Sequence, residues 1–151
     1  MDPEIDFSAI FSEFDTLLMG RKTYAPMAGS KGKGGPFAAH KIVVVSRTLD
    51  PREHPGVTIV SSKLKETVTA LKREKGKDIW LFGGGELFQG LLELGLVDGV
   101  DVAVMPALLG QGIPPLPAPA KQAKLKLTSH RIYGKTGIVS LRYDVKPSRR
   151  K

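Results

Sequence analysis

The chain contains no cysteine, which excludes disulfides and thiolate chemistry. Histidine is nearly as scarce. His40, His54 and His130 are the only imidazoles, and none stands at metal-ligand spacing from another. No metal site is expected. No apolar run is long enough to cross a bilayer, so a membrane is not an expected partner. The first fifteen residues hold Asp2, Glu4, Asp6, Glu13 and Asp15 but neither Lys nor Arg. A start of that kind lacks the basic flank of a signal or transit peptide, and a cytoplasmic protein is expected.

What is present is ordinary for a globular domain. The 151 residues are 41% hydrophobic and 25% charged, enough for one domain with a real core. That domain is expected over residues 1–147, followed by a basic tail at 148–151, Ser148-Arg149-Arg150-Lys151. The net charge is +8 and unevenly placed: beyond the acidic start, 23 basic residues stand against 10 acidic ones. Such a surface attracts anions: nucleotide phosphates, phosphorylated metabolites or nucleic acid. The tail reads as a solubilising end. Aromatic-rich strands and nucleic-acid recognition motifs are lacking, so a nucleic-acid-binding protein ranks last among the functional readings.

Apolar spacing predicts a helix over residues 7–14, capped by Asp6 or Ser8, and a short buried strand over 16–20. A helix over 21–27 opens directly from Gly20. Residues 28–36 form a loop of Gly, Ser and Lys. Strands follow at 41–46 and 57–60, then a helix over 62–75 with Leu64, Val68 and Leu71 on one face. A strand at 79–82, a helix at 86–94 and a strand at 100–105 complete the alternation. A Gly- and Pro-rich loop spans 108–119, and two alternating strands, 125–132 and 138–145, form a closing hairpin. The order implies an α/β fold of three layers: a mixed, mainly parallel sheet flanked by helices, with an antiparallel C-terminal hairpin.

Ligands in such sheets bind beyond the carboxyl ends of the strands. Three predicted strand ends carry suitable chemistry. Gly20-Arg21-Lys22-Thr23 offers a sharp turn, helix amides, a hydroxyl and two cations. Ser46-Arg47-Thr48 places an Arg between two hydroxyls. Gly83-Gly84-Gly85 removes every Cβ where strand becomes helix, so that backbone amides can approach an anion and positive φ costs nothing. Arg can grip a phosphate through two parallel hydrogen bonds, which Lys cannot. Each segment alone is equally readable as a tight turn or a solvated charge.

Together the segments LLMGRKTY (17–24), KIVVVSRT (41–48), IWLFGGGELF (79–88) and PALLGQGIPPLP (106–117) resemble the dihydrofolate reductase-like superfamily. The likeness is nearest to the riboflavin-biosynthesis reductase domain, the C-terminal part of the deaminase-reductase proteins. It runs in order and spacing from about Phe7 to Val145. The resemblance implies NADPH as cofactor. Gly20, Arg21, Lys22 and Thr23 would hold its phosphates. Ser46, Arg47 and Thr48 would flank the adenosine and its 2′-phosphate. Gly83, Gly84, Gly85, Glu86 and Leu87 would wrap the pyrophosphate and approach the nicotinamide. Leu109, Gly110, Gln111 and Gly112 would border the substrate.

One departure stands out. Members of the family open with a central strand and a loop that shapes the nicotinamide pocket, whereas MDPEID is too short and polar to be that strand. Its loss would leave strands 79–82 and 100–105 to pair directly, to take a second chain between them, or to await an upstream segment. The expected function is an NADPH-dependent reductase of a small heterocycle, of pterin or ribityl-aminouracil type. A non-catalytic nucleotide-binding relative is the alternative. Glu13, Asp15 and Glu86 are the carboxyls considered for proton delivery, with none assigned. A small-molecule substrate and a homodimer are the expected partners.

Overall fold

The computed structural model describes residues 2–28 and 37–146. The loop at 29–36 and the basic tail lie outside the described residues. Elements follow the chain as α1 (Phe7–Ser12), β1 (Phe14–Gly20), α2 (Arg21–Ala28), β2 (Lys41–Val45), β3 (Val57–Val60), α3 (Leu64–Leu71), β4 (Asp78–Gly83), α4 (Gly85–Glu93), β5 (Gly99–Val104), β6 (Leu125–Ile132) and β7 (Val139–Val145).

The first four strands form a parallel sheet in the order β3-β2-β1-β4. Its inner strands are continuous apolar runs because both faces are covered. On one face, Leu18, Val43 and Val60 pack against Val68 and Leu71 of α3 and Leu91 of α4. On the other, Leu17, Met19 and Val44 pack against Tyr24 of α2. An aromatic cluster extends that second face. Phe11 of α1 lies 5.6 Å from Trp80 and 5.0 Å from Phe37, ring to ring, and Phe37 lies 5.2 Å from Phe82. Helices on both faces of a parallel sheet are the three layers expected.

The remaining strands form a separate antiparallel sheet, β5-β7-β6. The hairpin stands as expected, but the single mixed sheet is divided in two. β4 and β5 do not pair, and each is an edge strand of its own sheet. The N-terminal residues make no strand either; they clasp the second sheet instead. Asp2 is buried, with its carboxylate accepting from the Glu4 N–H (2.9 Å) and the Thr136 hydroxyl (2.8 Å) in the β6–β7 turn. Glu4 pairs with Arg131 at 3.7 Å, and Glu13 with Arg142 at 3.0 Å. The acidic start thus meets basic residues of the hairpin.

Two helix boundaries differ from expectation for local reasons. Asp6 caps α1 by accepting from the Ala9 N–H (2.9 Å), but the helix stops at Ser12 because Phe14 already belongs to β1. α3 begins at Leu64, since Lys63 adopts a left-handed conformation (φ 52°) that a helix cannot include. It ends at Leu71, its last buried residue; the exposed charged stretch beyond has no apolar anchor to hold further turns.

Candidate functional site

Because β1 to β4 are parallel, their carboxyl ends share one edge of the sheet. Gly20 ends β1 and pairs with Val45, the last residue of β2. On its other side β1 pairs with β4, Met19 opposite Gly83. All three segments singled out in the sequence therefore lie side by side along this edge.

At the β1–α2 junction no linker intervenes: Gly20 is strand and Arg21 is helix. Among the described residues, nothing lies within 4 Å of where a Cβ on Gly20 would stand. Arg21 and Lys22 are exposed, Thr23 half-buried. Tyr24 turns inward, its hydroxyl 3.2 Å from His54 Nδ1.

The three glycines at the β4–α4 junction serve three different purposes. Gly83 has φ +140°, which side-chain-bearing residues rarely adopt. Gly84 has ordinary extended geometry (φ −87°, ψ 169°) and is exposed; the Gly83–Gly84 peptide is cis. Positive φ thus belongs to Gly83 alone among the three. Gly85 begins α4, one residue earlier than expected, and is small for packing: a Cβ there would stand 3.0 Å from the Pro115 carbonyl oxygen and 3.3 Å from Pro117 Cδ. The nearest neighbour to added Cβ atoms at Gly83 and Gly84 is the Thr23 hydroxyl, at 3.4 and 3.6 Å. The two helix starts, α2 and α4, therefore meet at Thr23, and their unpaired first-turn amides open on the same edge.

The third segment divides its tasks. Ser46 is buried, and its hydroxyl accepts from the N–H groups of Thr48 (3.2 Å) and Leu49 (3.1 Å). It builds a turn that leaves Arg47 and Thr48 exposed. The remaining assignments separate. Leu87 packs against the buried cluster that includes Val68 and Leu71 of α3. Glu86 is exposed in the first turn of α4. Leu109, Gly110, Gln111 and Gly112 are exposed in a loop whose later residues, Pro114 to Pro117, lie over Gly85. Gln89 holds the end of that loop by donating to the Pro119 carbonyl (2.8 Å).

Two carboxyls considered for proton delivery are at the wrong end. Asp15 stands at the start of β1, about 17 Å of strand from the carboxyl edge at some 3.3 Å per residue. It accepts from the Lys77 N–H (2.7 Å) and the Thr16 hydroxyl (2.8 Å), which hold its pKa below the usual carboxylate value. Glu13 is tied to Arg142 at the same end. A concavity of about 630 Å³ opens there, lined by Phe11, Phe14, Asp15, His40 and Lys77 among others. It is remote from the glycine junctions. Sequence reasoning also passed over Lys63, exposed just past the end of β3 on the carboxyl edge. Its signal was available: Ser61-Ser62-Lys63 repeats the pattern of hydroxyl and cation after a strand.

Among the described residues no group of His, Asp and Glu could hold a metal ion, and no helix is long and apolar enough to cross a membrane. Against known families, the model of the RibD C-terminal domain matches residues 3–139. The chain belongs to the RibD C-terminal domain family. The uncharacterized protein YyaP of Bacillus subtilis is 31% identical over 153 residues, covering 95% of this chain and 80% of YyaP. Two solved structures share the fold. A putative riboflavin biosynthesis protein from a Shewanella species has a TM-score of 0.76 at 22% identity, covering 97% of this chain and 84% of its own. A pyrimidine reductase-like protein from Corynebacterium diphtheriae has a TM-score of 0.65 at 17% identity, covering 89% and 77%. RibD C-terminal domains are thus the architecture on which the edge described above is built.

Proposed function

We propose that this RibD C-terminal domain protein is an NADPH-dependent reductase of a small heterocyclic substrate, of pterin or ribityl-aminouracil type. The observation that carries the reading is the meeting of two glycine-opened helix starts at Thr23, on adjacent parallel strands. Helix amides, the Thr23 hydroxyl and open space beyond Gly20 suit a pyrophosphate. Arg21, Lys22, Arg47 and Lys63 add positive charge along the same edge. Bound NADPH would supply the hydride. The chain's own residues would bind and orient it: Gly20 to Thr23 and Gly83 to Leu87 at the phosphates, Ser46 to Thr48 at the adenosine end. The loop 109–112 is the substrate border in this reading. A pyrimidine-type substrate agrees with the name of the Corynebacterium neighbour.

A second reading has its own observation. Glu86 is the only one of the three candidate carboxyls on the carboxyl edge, and β4 and β5 do not pair with each other, each being an edge strand of its own sheet. A protein that holds the nucleotide without turning it over fits those facts.

Thermal unfolding with each nucleotide tests the cofactor. A ligand at 100 times its Kd adds about 2.7 kcal/mol, a visible shift. NADPH is expected to raise the Tm more than NADH, because in this reading Arg21 and Arg47 would meet the 2′-phosphate. No shift with millimolar NADPH would sink the cofactor; equal shifts would sink the role of the arginines. Loss of NADPH absorbance with a pterin or aminouracil substrate then separates reductase from binder.

A further inference from the structure

The first turn of α2 begins with an exposed cation and ends with a buried phenol. Tyr24 is 6% exposed and packs with Leu17, Met19 and Val44. Its hydroxyl lies 3.2 Å from His54 Nδ1, and the two rings meet edge to face with centroids 5.3 Å apart. A buried hydroxyl needs such a partner, because leaving it unpaired costs its desolvation. His54 belongs to the connection between β2 and β3, which opens with Ser46 and Arg47. That connection is ordered along its length. The Ser46 hydroxyl accepts from the Thr48 and Leu49 N–H groups and sets the first bend. Asp50 caps a single 3₁₀ turn, Pro51–Glu53, by accepting from the Arg52 N–H at 2.9 Å. His54 closes that turn: its N–H donates to the Pro51 carbonyl (3.2 Å), and its own carbonyl accepts from the N–H of Val57, the first residue of β3 (3.2 Å).

We propose, resting on the NADPH reading above, that Tyr24 and His54 are positioning residues: their hydrogen bond fixes the spacing of two cationic arms, Arg21 and Arg47, and so sets the preference for a nucleotide that carries a 2′-phosphate. Arg21 begins the helical turn that Tyr24 ends, and Arg47 heads the connection that His54 closes. The arms come from different elements, and among the described residues neither arginine has an ion pair to hold it. Their spacing is therefore set by how α2 and the connection are joined. Leu49 joins them through the apolar cluster around Tyr24, a contact without direction. The Tyr24–His54 bond adds direction, since a hydrogen bond weakens steeply when it is bent or stretched. A phosphate gripped from two sides needs both arms in place at once. If they are in place for only a fraction of the time, apparent affinity falls by that fraction. In the NADPH reading the pyrophosphate lies on the helix starts, which NADPH and NADH share. Only the 2′-phosphate spans the two arginines, so a loosened joint penalises NADPH and spares NADH.

Calorimetric titration of the full chain with NADPH and with NADH tests the pair. Tyr24→Phe keeps the ring and deletes the hydroxyl. It should weaken NADPH about two- to tenfold, the factor that one net hydrogen bond represents, and leave the Kd for NADH nearly unchanged. His54→Ala should do the same. His54→Asn should recover most of the loss, because its amide reaches as many bonds from Cα as Nδ1 does and can donate or accept. Tyr24→Phe combined with His54→Ala should lose no more than either change alone, as partners in one bond do. His54 is only half-buried, so the contrast between His54→Ala and His54→Asn decides the matter even where Tyr24→Phe fails to fold. A bond that merely supports the fold would weaken both nucleotides alike, or lower the Tm and weaken neither. Either result, with the parent still preferring NADPH, overturns the proposal and leaves the cofactor reading standing. A parent that binds NADPH no better than NADH overturns both.

Discussion

The two sheets of this molecule bury their apolar residues in opposite ways. In the parallel sheet, Leu17, Met19, Val43 and Val44 are fully inaccessible, and helices cover both faces. In the antiparallel sheet, β6 has no buried residue at all. The difference lies in the side-chain pattern. IVVV (42–45) and LLM (17–19) are apolar at every position and need two covers. VDVAV and VSLRYDV are apolar at alternate positions and need one. Among the described residues, helices cover both faces of the first sheet, while the apolar residues of the second stay half-buried or exposed.

The sharpest way to break this contrast is to truncate one residue in each sheet. Leu17→Ala leaves a cavity between sheet and helix and should cost about 2–5 kcal/mol of unfolding free energy. That cost should not depend on protein concentration. Leu127→Ala removes a half-exposed side chain and should cost well under about 1 kcal/mol in dilute solution. Urea denaturation reads both. Equal losses would erase the distinction between the sheets.

The glycine junction allows a finer cut, since it joins the well-packed sheet to the candidate site. Gly83→Ala places a Cβ at φ +140° and should destabilise the fold by about 1–3 kcal/mol. Gly85→Ala presses on the Pro115 carbonyl at 3.0 Å, so the loop over α4 must give. Gly84→Ala meets only the Thr23 hydroxyl at 3.6 Å and should be nearly neutral for folding. Gly84→Val should remain folded yet lose NADPH binding, because its branched side chain stands between Thr23 and the amides of α4. Circular dichroism beside NADPH titration checks the series. A folded Gly84→Val that binds like the parent would make the junction a packing turn.

How far these features could be read from sequence depends on what each requires. β2 was legible because three consecutive valines suit only a strand covered on both faces. The strand ends of the candidate site were legible because Gly20, Ser46 and Gly83 each punctuate an apolar run. Which glycine takes positive φ was not, since any of the three is sterically free to do so. The division into two sheets was not legible either. Periodicity reports which face of a strand is apolar, not which strand lies beside it, and β4 and β5 look alike in that respect whether paired or apart. The distance of Asp15 from the candidate site was legible too: a residue at the start of a parallel strand belongs to its amino end.

The smallest expected effect concerns the acidic clasp on the second sheet. Asp2 is 2% exposed, and its burial works to raise its pKa, but the hydrogen bonds it accepts outweigh that effect. The Glu4 N–H, and after it the Thr136 hydroxyl, favour the ionised carboxylate and hold its pKa below the ordinary value of 3.8. A carboxyl whose folded pKa is lowered contributes stability above its unfolded pKa and loses it as pH falls through the folded value. Asp15 behaves alike on the parallel sheet, through Lys77 and Thr16. Both losses therefore fall in the acid range below about pH 4. Their consequences should differ. Asp15 anchors the α3–β4 turn of the covered sheet, so Asp15→Asn should lower global stability. Asp2 anchors only the hairpin turn, so Asp2→Asn should leave global unfolding nearly unchanged. It should instead speed amide exchange at Thr136 to Ile138, and this difference from the parent should vanish once the pH is low enough to protonate Asp2 in the parent. Hydrogen exchange across that pH range decides it. A global loss from Asp2→Asn as large as that from Asp15→Asn would show the second sheet to be as firmly integrated as the first.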